Sequence, residues 1–573
     1  MRMRILLLGV AVTLIAGCVS PERAVRSASP HAVTPASKAE VARYAEQLLI
    51  ENYKIDGSGA AVIIARGDEV LFRGARGMGD IERTTPLSAD AQFNVASITK
   101  QFAAAGLLKL VEAGKVSLDD PLSKFFKDYP NGDKITVLEL LNHTSGIKDY
   151  SDIPGMDDPA QKDRTTAQLI DSFKNAKPDF APGANWAYDN SGYVLVGALI
   201  EAASGMPWHA YLQQALFQPL GLSHTGYAAD PAIVARQVHG YTLADGKSAP
   251  ARLNTMHLTS ADGGLVSNVD DLLKWNRALH EGRVLKRDSY RRMITPIGQA
   301  VPEQYGFGLW HTTLRNHEML GHSGWINGFT AYLLYLPQSH TSVVVLQNVD
   351  RAPGAPDARA VSRKLAAFAI GEPYLVPTQI AVAAATLQQT EGVYGIDLPG
   401  PSNGRTQGAR VVRVIDGKLT VARTGDLRSS WMPIAADVFQ ASDGLDRLRF
   451  ERDAAGAVTG MRFFSQGEGD GLLLARTNAP PPTAQITLPR AALERVTGIY
   501  SANGMEMHVT LDGEHLKAEV IGQPPATALI AESPNKFLVD IVDATVEFTP
   551  AEGIPQVVVL HQGGDVVEFK RKP

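Results

Sequence analysis

The chain carries β-like sequence at both ends of a long helix-rich stretch, and this limits its fold more than any other feature. Ala60–Arg66 and Glu69–Arg76 are β-like runs joined at Gly67-Asp68, a hairpin signal. Strand-like sequence returns near residue 329, with Phe329–Leu336, a turn at Pro337-Gln338-Ser339, and Thr341–Asn348. Between the two, up to about residue 290, the pattern is helical, and a further helix is expected at about Ala355–Ile370. Strands at both ends with helices between imply one α/β domain whose ends share a sheet. Ser37 and Glu40 form a capping-box pattern that opens a helix through about Tyr53.

Beyond Gly371-Glu372-Pro373 and Pro377 the character changes. From about residue 387 the chain is short β-like runs with Gly and Asp turns, and it repeats. Gly392-Val393-Tyr394 matches Gly498-Ile499-Tyr500, Asp416-Gly417 matches Asp512-Gly513, and Gln466-Gly467 matches Gln562-Gly563. The Pro-rich break Ala479-Pro480-Pro481-Pro482 separates the copies. Two small all-β antiparallel modules, barrels or sandwiches, are expected; one large β-domain with chance matches is the alternative. The first copy has an enlarged Gly-rich stretch, Gly400–Gly408, read either as a solvated insertion or as a loop closing a substrate cleft. With 573 residues, three or four domains are expected at roughly 150 residues each.

The start of the chain reads as an export signal. Met1-Arg2-Met3-Arg4 is basic, and Ile5–Ile15 is an apolar run of signal-peptide length. It ends Leu14-Ile15-Ala16-Gly17-Cys18, which resembles the bacterial lipobox, in which the cysteine becomes lipidated. The alternative is a plain secretory signal. The organisation expected is a signal peptide over 1–18, a Ser/Pro/Ala-rich tether over 19–36, the α/β domain over 37–372 and a linker over 373–386. The first β module follows over 387–478, a Pro-rich linker over 479–486 and the second β module over 487–573. An exported lipoprotein at the periplasmic face of a membrane follows, with Val19 after the cysteine favouring the outer membrane. Cys18 is the one cysteine, so no intramolecular disulfide and no Cys-based metal site can form. Lys+Arg 55 against Asp+Glu 60 leaves a net charge of −5, which argues against nucleic acid as a partner.

Chemistry enters at Phe93-Asn94-Val95-Ala96-Ser97-Ile98-Thr99-Lys100. Gln101 to Glu112 reads as a helix with apolar Phe102, Leu107, Leu108 and Val111, so Ser97 and Lys100 stand at its start on one face. A helix start offers free N–H groups and a positive dipole end. A serine there gains an amine that can accept its proton and support for developing negative charge. The alternative is a capping serine and a solvated lysine. Downstream, Tyr188-Asp189-Asn190 precedes an apolar helix, Val194–Ile200, and Gly321-His322-Ser323-Gly324-Trp325 opens the run into the Phe329 strand.

These three motifs, in this order, resemble the serine β-lactamase and penicillin-binding-protein superfamily. The class C branch is closest, with its D-aminopeptidases, D-Ala-D-Ala carboxypeptidases and esterases. Leu141–Gly146, Phe217–Leu222 and Gly263–Ser267 also look like landmarks of that family, and the resemblance covers about residues 38–372. It implies a β-lactamase-like fold, an antiparallel sheet flanked by helices plus a helical subdomain. It implies that Ser97 is the acylated nucleophile, Lys100 its proton acceptor and Tyr188 a general base and then acid. Asn190 would bind a substrate amide or carbonyl, and His322 would take the third-motif position. The backbone N–H groups of Ser97 and Trp325 would form an oxyanion hole. Tyr188 could instead be a packing tyrosine and Asn190 a helix cap. The layout resembles D-aminopeptidases that carry two lipocalin-like barrels after the catalytic domain.

His322 stands where most β-lactamases have a lysine. A histidine is mostly neutral at pH 7, which disfavours β-lactams, whose carboxylate meets that position. The expected activity is therefore peptidase or amidase on a small-molecule or short-peptide substrate. A carboxylesterase, a weak β-lactamase and a catalytically silent binding protein are the alternatives. His317 and His322 are spaced i, i+5 and do not share a helical face, so a zincin site is excluded. No Gly-x-Ser-x-Gly elbow, Walker or dinucleotide fingerprint is present; neither metal nor cofactor is expected.

Overall fold

The computed structural model describes residues 34–153, 165–244, 246–251, 260–351, 354–395, 409–423, 429–442, 444–478, 486–502, 504–512, 515–521, 527–539, 542, 544–562 and 565–572. The export signal with Cys18, the stretch Gly400–Gly408 and the break Ala479–Pro482 lie outside the described residues. Among the described residues no helix is long and apolar enough to cross a membrane.

The α/β domain opens with helix α1 (Lys38–Asn52), whose Ser37–Glu40 capping box is formed. Strands β1 (Ala60–Arg66) and β2 (Glu69–Arg76) follow. Next come α2 (Thr99–Glu112), α3 (Asn190–Ser204) and α4 (Val269–His280). The domain closes with β3 (Trp310–Leu314), β4 (His317–Ile326), β5 (Phe329–Leu336), β6 (Thr341–Gln347) and α5 (Ala358–Ala369). The sheet order is β3-β4-β5-β6-β1-β2, all antiparallel. The two chain ends of the domain meet where β1 pairs with β6, Ala60 opposite Gln347.

Period-2 alternation assigns each face of the sheet its own core. Ala61, Ile63, Leu333, Val344 and Leu346 pack with α2, α3 and α4. Val62, Ile64, Leu334, Val343 and Val345 pack with α1 and α5, through Val41, Leu48, Val361 and Leu365. Strands buried on both faces carry no polar alternation, which is why β1 and β6 read as continuous apolar runs.

The strands begin earlier than the sequence suggests. β3 and β4 already run from Trp310, whereas the pattern points to residue 329. Gly321, His322, Ser323 and Gly324 interrupt any alternation in β4, and its burial comes from chain far away in sequence. His317 and His322 therefore sit on a strand, where a spacing of five puts them on opposite faces. His317 pairs with Glu372 at 2.9 Å, while His322 is buried.

The two β modules are separate eight-stranded antiparallel sheets, not one large β-domain. The first runs from Gly392–Tyr394 to Leu472–Ala475. Gly395 N and Thr477 N donate across the seam to Ala475 O and Val393 O, 2.8 Å each, so it is nearly closed. The second, Gly498–Ala502 to Asp565–Arg571, is a closed barrel. The repeated Gly-x-Tyr has a physical basis. Tyr394 and Tyr500 are buried, and their hydroxyls donate to the carbonyls of Thr390 (2.6 Å) and Val496 (2.9 Å). Arg476 and Arg571 lie over the rings at 6.0 and 5.4 Å. A Cβ on Gly392 would stand 3.1 Å from Arg476 Nε, and one on Gly498 2.9 Å from Arg571 Cζ, so each glycine leaves room for the arginine that crosses it.

Candidate active site

Ser97 lies in a 3-10 turn, Ala96–Ile98, that runs straight into α2. The turn is held under strain. Ala96 has φ of +44°, and its N–H donates to Asn94 Oδ1 at 2.8 Å. A small sheet of Phe93–Asn94, Leu265–Ser267 and Gly226–Tyr227 clamps it from behind. Val95 N donates to Leu265 O at 3.0 Å, and Leu265 N donates to Thr99 Oγ1 at 3.1 Å. The landmark Gly263–Ser267 is thus the backing of the Ser97 turn.

Lys100 is wholly buried, one helical turn after Ser97. Its Nζ lies 3.1 Å from Ser97 Oγ, 2.8 Å from Asn190 Oδ1 and 2.7 Å from Asp262 O. Two N–H bonds are fixed by the Asn190 and Asp262 oxygens, so the third position of the nitrogen points at the serine. That position can carry a proton or a lone pair, which is what a proton relay to Ser97 requires. The Tyr188 ring lies 4.9 Å from the same nitrogen. Serine, lysine and tyrosine thus converge from distant segments.

Tyr188, Asp189 and Asn190 are held by the landmark Leu141–Gly146. Ala187 N donates to His143 O at 3.1 Å, Asp189 N to His143 Nδ1 at 3.2 Å, and Tyr193 O–H to Leu141 O at 2.8 Å. Asp189 caps α3 by accepting from Gly192 N; Asn190 is the first helical residue, not the cap. The Asn190 amide is engaged at both ends, Oδ1 to Lys100 and Nδ2 to Asp149 Oδ2 at 3.0 Å. Its first task is therefore to orient Lys100 rather than to offer a free amide.

His322 exposes no surface. Burial and the Lys100 charge push its pKa well below the ordinary imidazole value, so the ring is neutral at pH 7. Nδ1 faces Ser323 O and donates to it, which leaves Nε2 to accept from Tyr305 O–H at 3.1 Å. Both nitrogens are thus satisfied inside the protein. His322 packs on Trp310 (4.4 Å) and near Tyr188 (6.2 Å), and Trp310 stacks parallel to Tyr188 at 6.1 Å. Gly324 brings β4 onto the Ser97 turn, since a Cβ there would stand 2.2 Å from Val95 O. Trp325 follows immediately, its side chain half-exposed.

The structure adds residues that no motif singles out. Asp149 accepts from both N–H groups of Asn190, backbone at 3.1 Å and Nδ2 at 3.0 Å. Tyr150 O–H donates to Asp262 Oδ2 at 2.8 Å. Tyr305 and Trp310 complete the aromatic wall. The signal for Asp149 and Tyr150 is their position just after the landmark Leu141–Gly146, but their partners lie far along the chain.

Asp149 fixes which end of the Asn190 amide meets the lysine. Asp149→Ala should lower turnover about tenfold to a hundredfold, whereas Asp149→Asn, which keeps an acceptor, should lower it far less. Steady-state kinetics of the two variants check this contrast.

Burial raises the carboxyls of Asp149 and Asp189 to about 7; the Asp189 charge adds to the rise at Asp149. Burial also raises Asp262, against the pull of Lys100. In the unfolded chain such carboxyls titrate near about 4. The folded state therefore holds these protons more tightly. The stability that Asp149 and Asp189 contribute is complete below about pH 4 and is lost as pH rises through about 7. Thermal unfolding between pH 5 and pH 8 should show a falling midpoint, with a shallower fall in Asp149→Asn.

The profile of the family described as Beta-lactamase matches residues 44–368. A D-aminopeptidase of Gluconobacter oxydans (strain 621H) is 26% identical over 377 residues, which covers 64% of this chain and 69% of the relative. A penicillin-binding protein of Bacillus subtilis (strain 168) is 25% identical over 354 residues, covering 58% of this chain and 77% of that protein. Among solved structures, the octameric penicillin-binding protein homologue from Pyrococcus abyssi superposes with a TM-score of 0.54 at 21% identity. It covers 86% of this chain and 99% of that chain, a likeness of fold that extends beyond the α/β domain. More than half of the chain falls within that profile, which spans the serine, lysine and tyrosine brought together here; the chain belongs to the Beta-lactamase family of serine hydrolases.

Proposed function

We propose that this protein hydrolyses an amide or short peptide through an acyl-enzyme on Ser97, in the manner of a D-aminopeptidase or D-Ala-D-Ala carboxypeptidase. The observation that carries the reading is Lys100 Nζ, 3.1 Å from Ser97 Oγ and tied by Asn190 and Asp262 so that its remaining position faces the serine. Ser97 loses its proton to this relay as Oγ bonds to the substrate carbonyl carbon. The carbonyl π electrons move to oxygen, where the N–H groups of Ser97 and Trp325 receive the charge. Collapse of the intermediate breaks the C–N bond; Tyr188 gives the leaving amine its proton and regains one from Lys100, which had taken it from Ser97. Water then attacks the acyl-enzyme by the reverse relay and frees Ser97.

The neutral His322 favours the aminopeptidase or amidase side of this reading over the carboxypeptidase side and over β-lactam hydrolysis, because the substrates of both present a carboxylate. A permanent cation would be needed there to hold a substrate carboxylate, and the buried imidazole supplies none. Turnover of D-Ala-p-nitroanilide against p-nitrophenyl butyrate and nitrocefin, with Ser97→Ala as control, tests it. Anilide turnover lost in Ser97→Ala is the expected result. Turnover that survives that substitution would overturn the reading, and nitrocefin as the preferred substrate would replace it with a β-lactamase.

We also infer an exported lipoprotein anchored through Cys18, at the periplasmic face of the outer membrane. The basic start, the apolar run and Leu14–Cys18 support it. Metabolic labelling with palmitate, lost in Cys18→Ser, is the test.

A further inference from the structure

The hairpin that joins β3 to β4 turns at Arg315-Asn316, both in the left-handed region with φ of +49° and +65°. Two-residue turns of this hand favour Asn-Gly, and arginine at the first position is a poor fit. A carboxylate from the first β module holds it there. Arg315 N–H donates to both oxygens of Glu468, 3.0 Å each. Glu468 follows the 3-10 turn Ser465–Gly467 and reaches out of its own module into the α/β domain.

Its other partners grip the same hairpin. Glu468 accepts from Arg363 Nη2 on α5 at 2.8 Å and from the Tyr374 hydroxyl. Arg363 Nη2 also donates to Thr313 O on β3 at 2.9 Å, and Arg363 Nη1 lies 3.5 Å from Met319 Sδ on β4. The pair is desolvated, with side chains 3% exposed for Arg363 and 13% for Glu468. One carboxylate and one guanidinium thus fasten the tip and both strands. Those strands carry Trp310, His322, Gly324 and Trp325.

We propose that Glu468 is a positioning residue of the active site. Through it the first β module holds the β3–β4 hairpin in place, so that Trp310, His322 and the Trp325 N–H keep their stations around Ser97. The module is then a working part of the hydrolase rather than an appendage. The proposal rests on the acyl-transfer reading of the site, which supplies its readout.

The test uses the full chain, assayed well below its unfolding transition. Glu468→Ala should lower kcat about tenfold or more, because small displacements of catalytic walls carry large rate penalties. KM should stay within about twofold, since the loss falls on the reaction step. Arg315→Gly in the Glu468→Ala background should restore most of kcat, because glycine takes positive φ freely and the turn no longer needs the carboxylate. A purely structural contact would not give that rescue. Unchanged kcat in Glu468→Ala, or a loss that Arg315→Gly leaves in place, would overturn the proposal. If Glu468→Ala does not fold, Glu468→Gln takes its place; it keeps one acceptor and loses the charge, so a smaller fall with the same rescue is expected and the same outcomes count against it. Turnover retained by Ser97→Ala would instead remove the reading of the site, a separate failure from any result at Glu468.

Discussion

Replacing Lys100 by methionine should lower turnover by about three orders of magnitude, the middle of the range that a positioned proton acceptor supplies. Methionine fills a similar volume, so the cavity penalty is small. It leaves Asn190 Oδ1 and Asp262 O facing an apolar chain without the bonds they now make. Each unsatisfied buried acceptor costs about 1–3 kcal/mol, so the unfolding midpoint should fall with the activity. Lys100 also holds down the pKa values of Asp189 and Asp262 by its charge. Without it both rise further, and the loss of stability with rising pH should steepen. Lys100→Arg should not rescue turnover, since a guanidinium does not release its proton at working pH. Steady-state kinetics, fluorophosphonate labelling of Ser97 and unfolding at several pH values check the set. A Lys100→Met enzyme within tenfold of the parent would mean that some other group takes the serine proton.

Gly324→Ala is the second large effect. The added Cβ would stand 2.2 Å from Val95 O and 3.4 Å from the Ala96 Cβ. The nearer atom belongs to the backbone of a strained turn and has no side-chain freedom to give. Strand β4 must move off by about 1 Å to reach ordinary contact, and a displacement of that size near the chemistry costs about a hundredfold in rate. Turnover and the labelling rate of Ser97 should fall together, while far-UV circular dichroism stays that of a folded protein. Activity within fivefold of the parent would show that strand and turn yield to each other.

The parts of the site that sequence reveals are those built locally. Ser97 and Lys100 share one helical turn, so their spacing alone puts them on one face. Tyr188 and Asn190 stand out by their order after that pair and by the apolar helix behind them. Asp149 and Asp262 do not stand out, because each acts through a partner from a distant segment, Asn190 and Tyr150. Strand β4 is hidden for a related reason. Gly324 lets it press on the Ser97 turn, and Gly321 and Gly324 together erase the alternation that marks a strand. In the β modules Gly392 and Tyr394 are legible as a repeat, but Arg476 is not, since only the closing of the barrel brings it over the ring.

The pairing of β1 with β6 has a consequence for biogenesis. The strand at residues 60–66 finds one of its two neighbours only when residues 341–347 are available. Such long-range pairing folds slowly, because loop closure precedes any reward. A nascent chain emerging from its amino end cannot complete this sheet until about three-fifths of it has been made, and until then β1 keeps an unpaired edge.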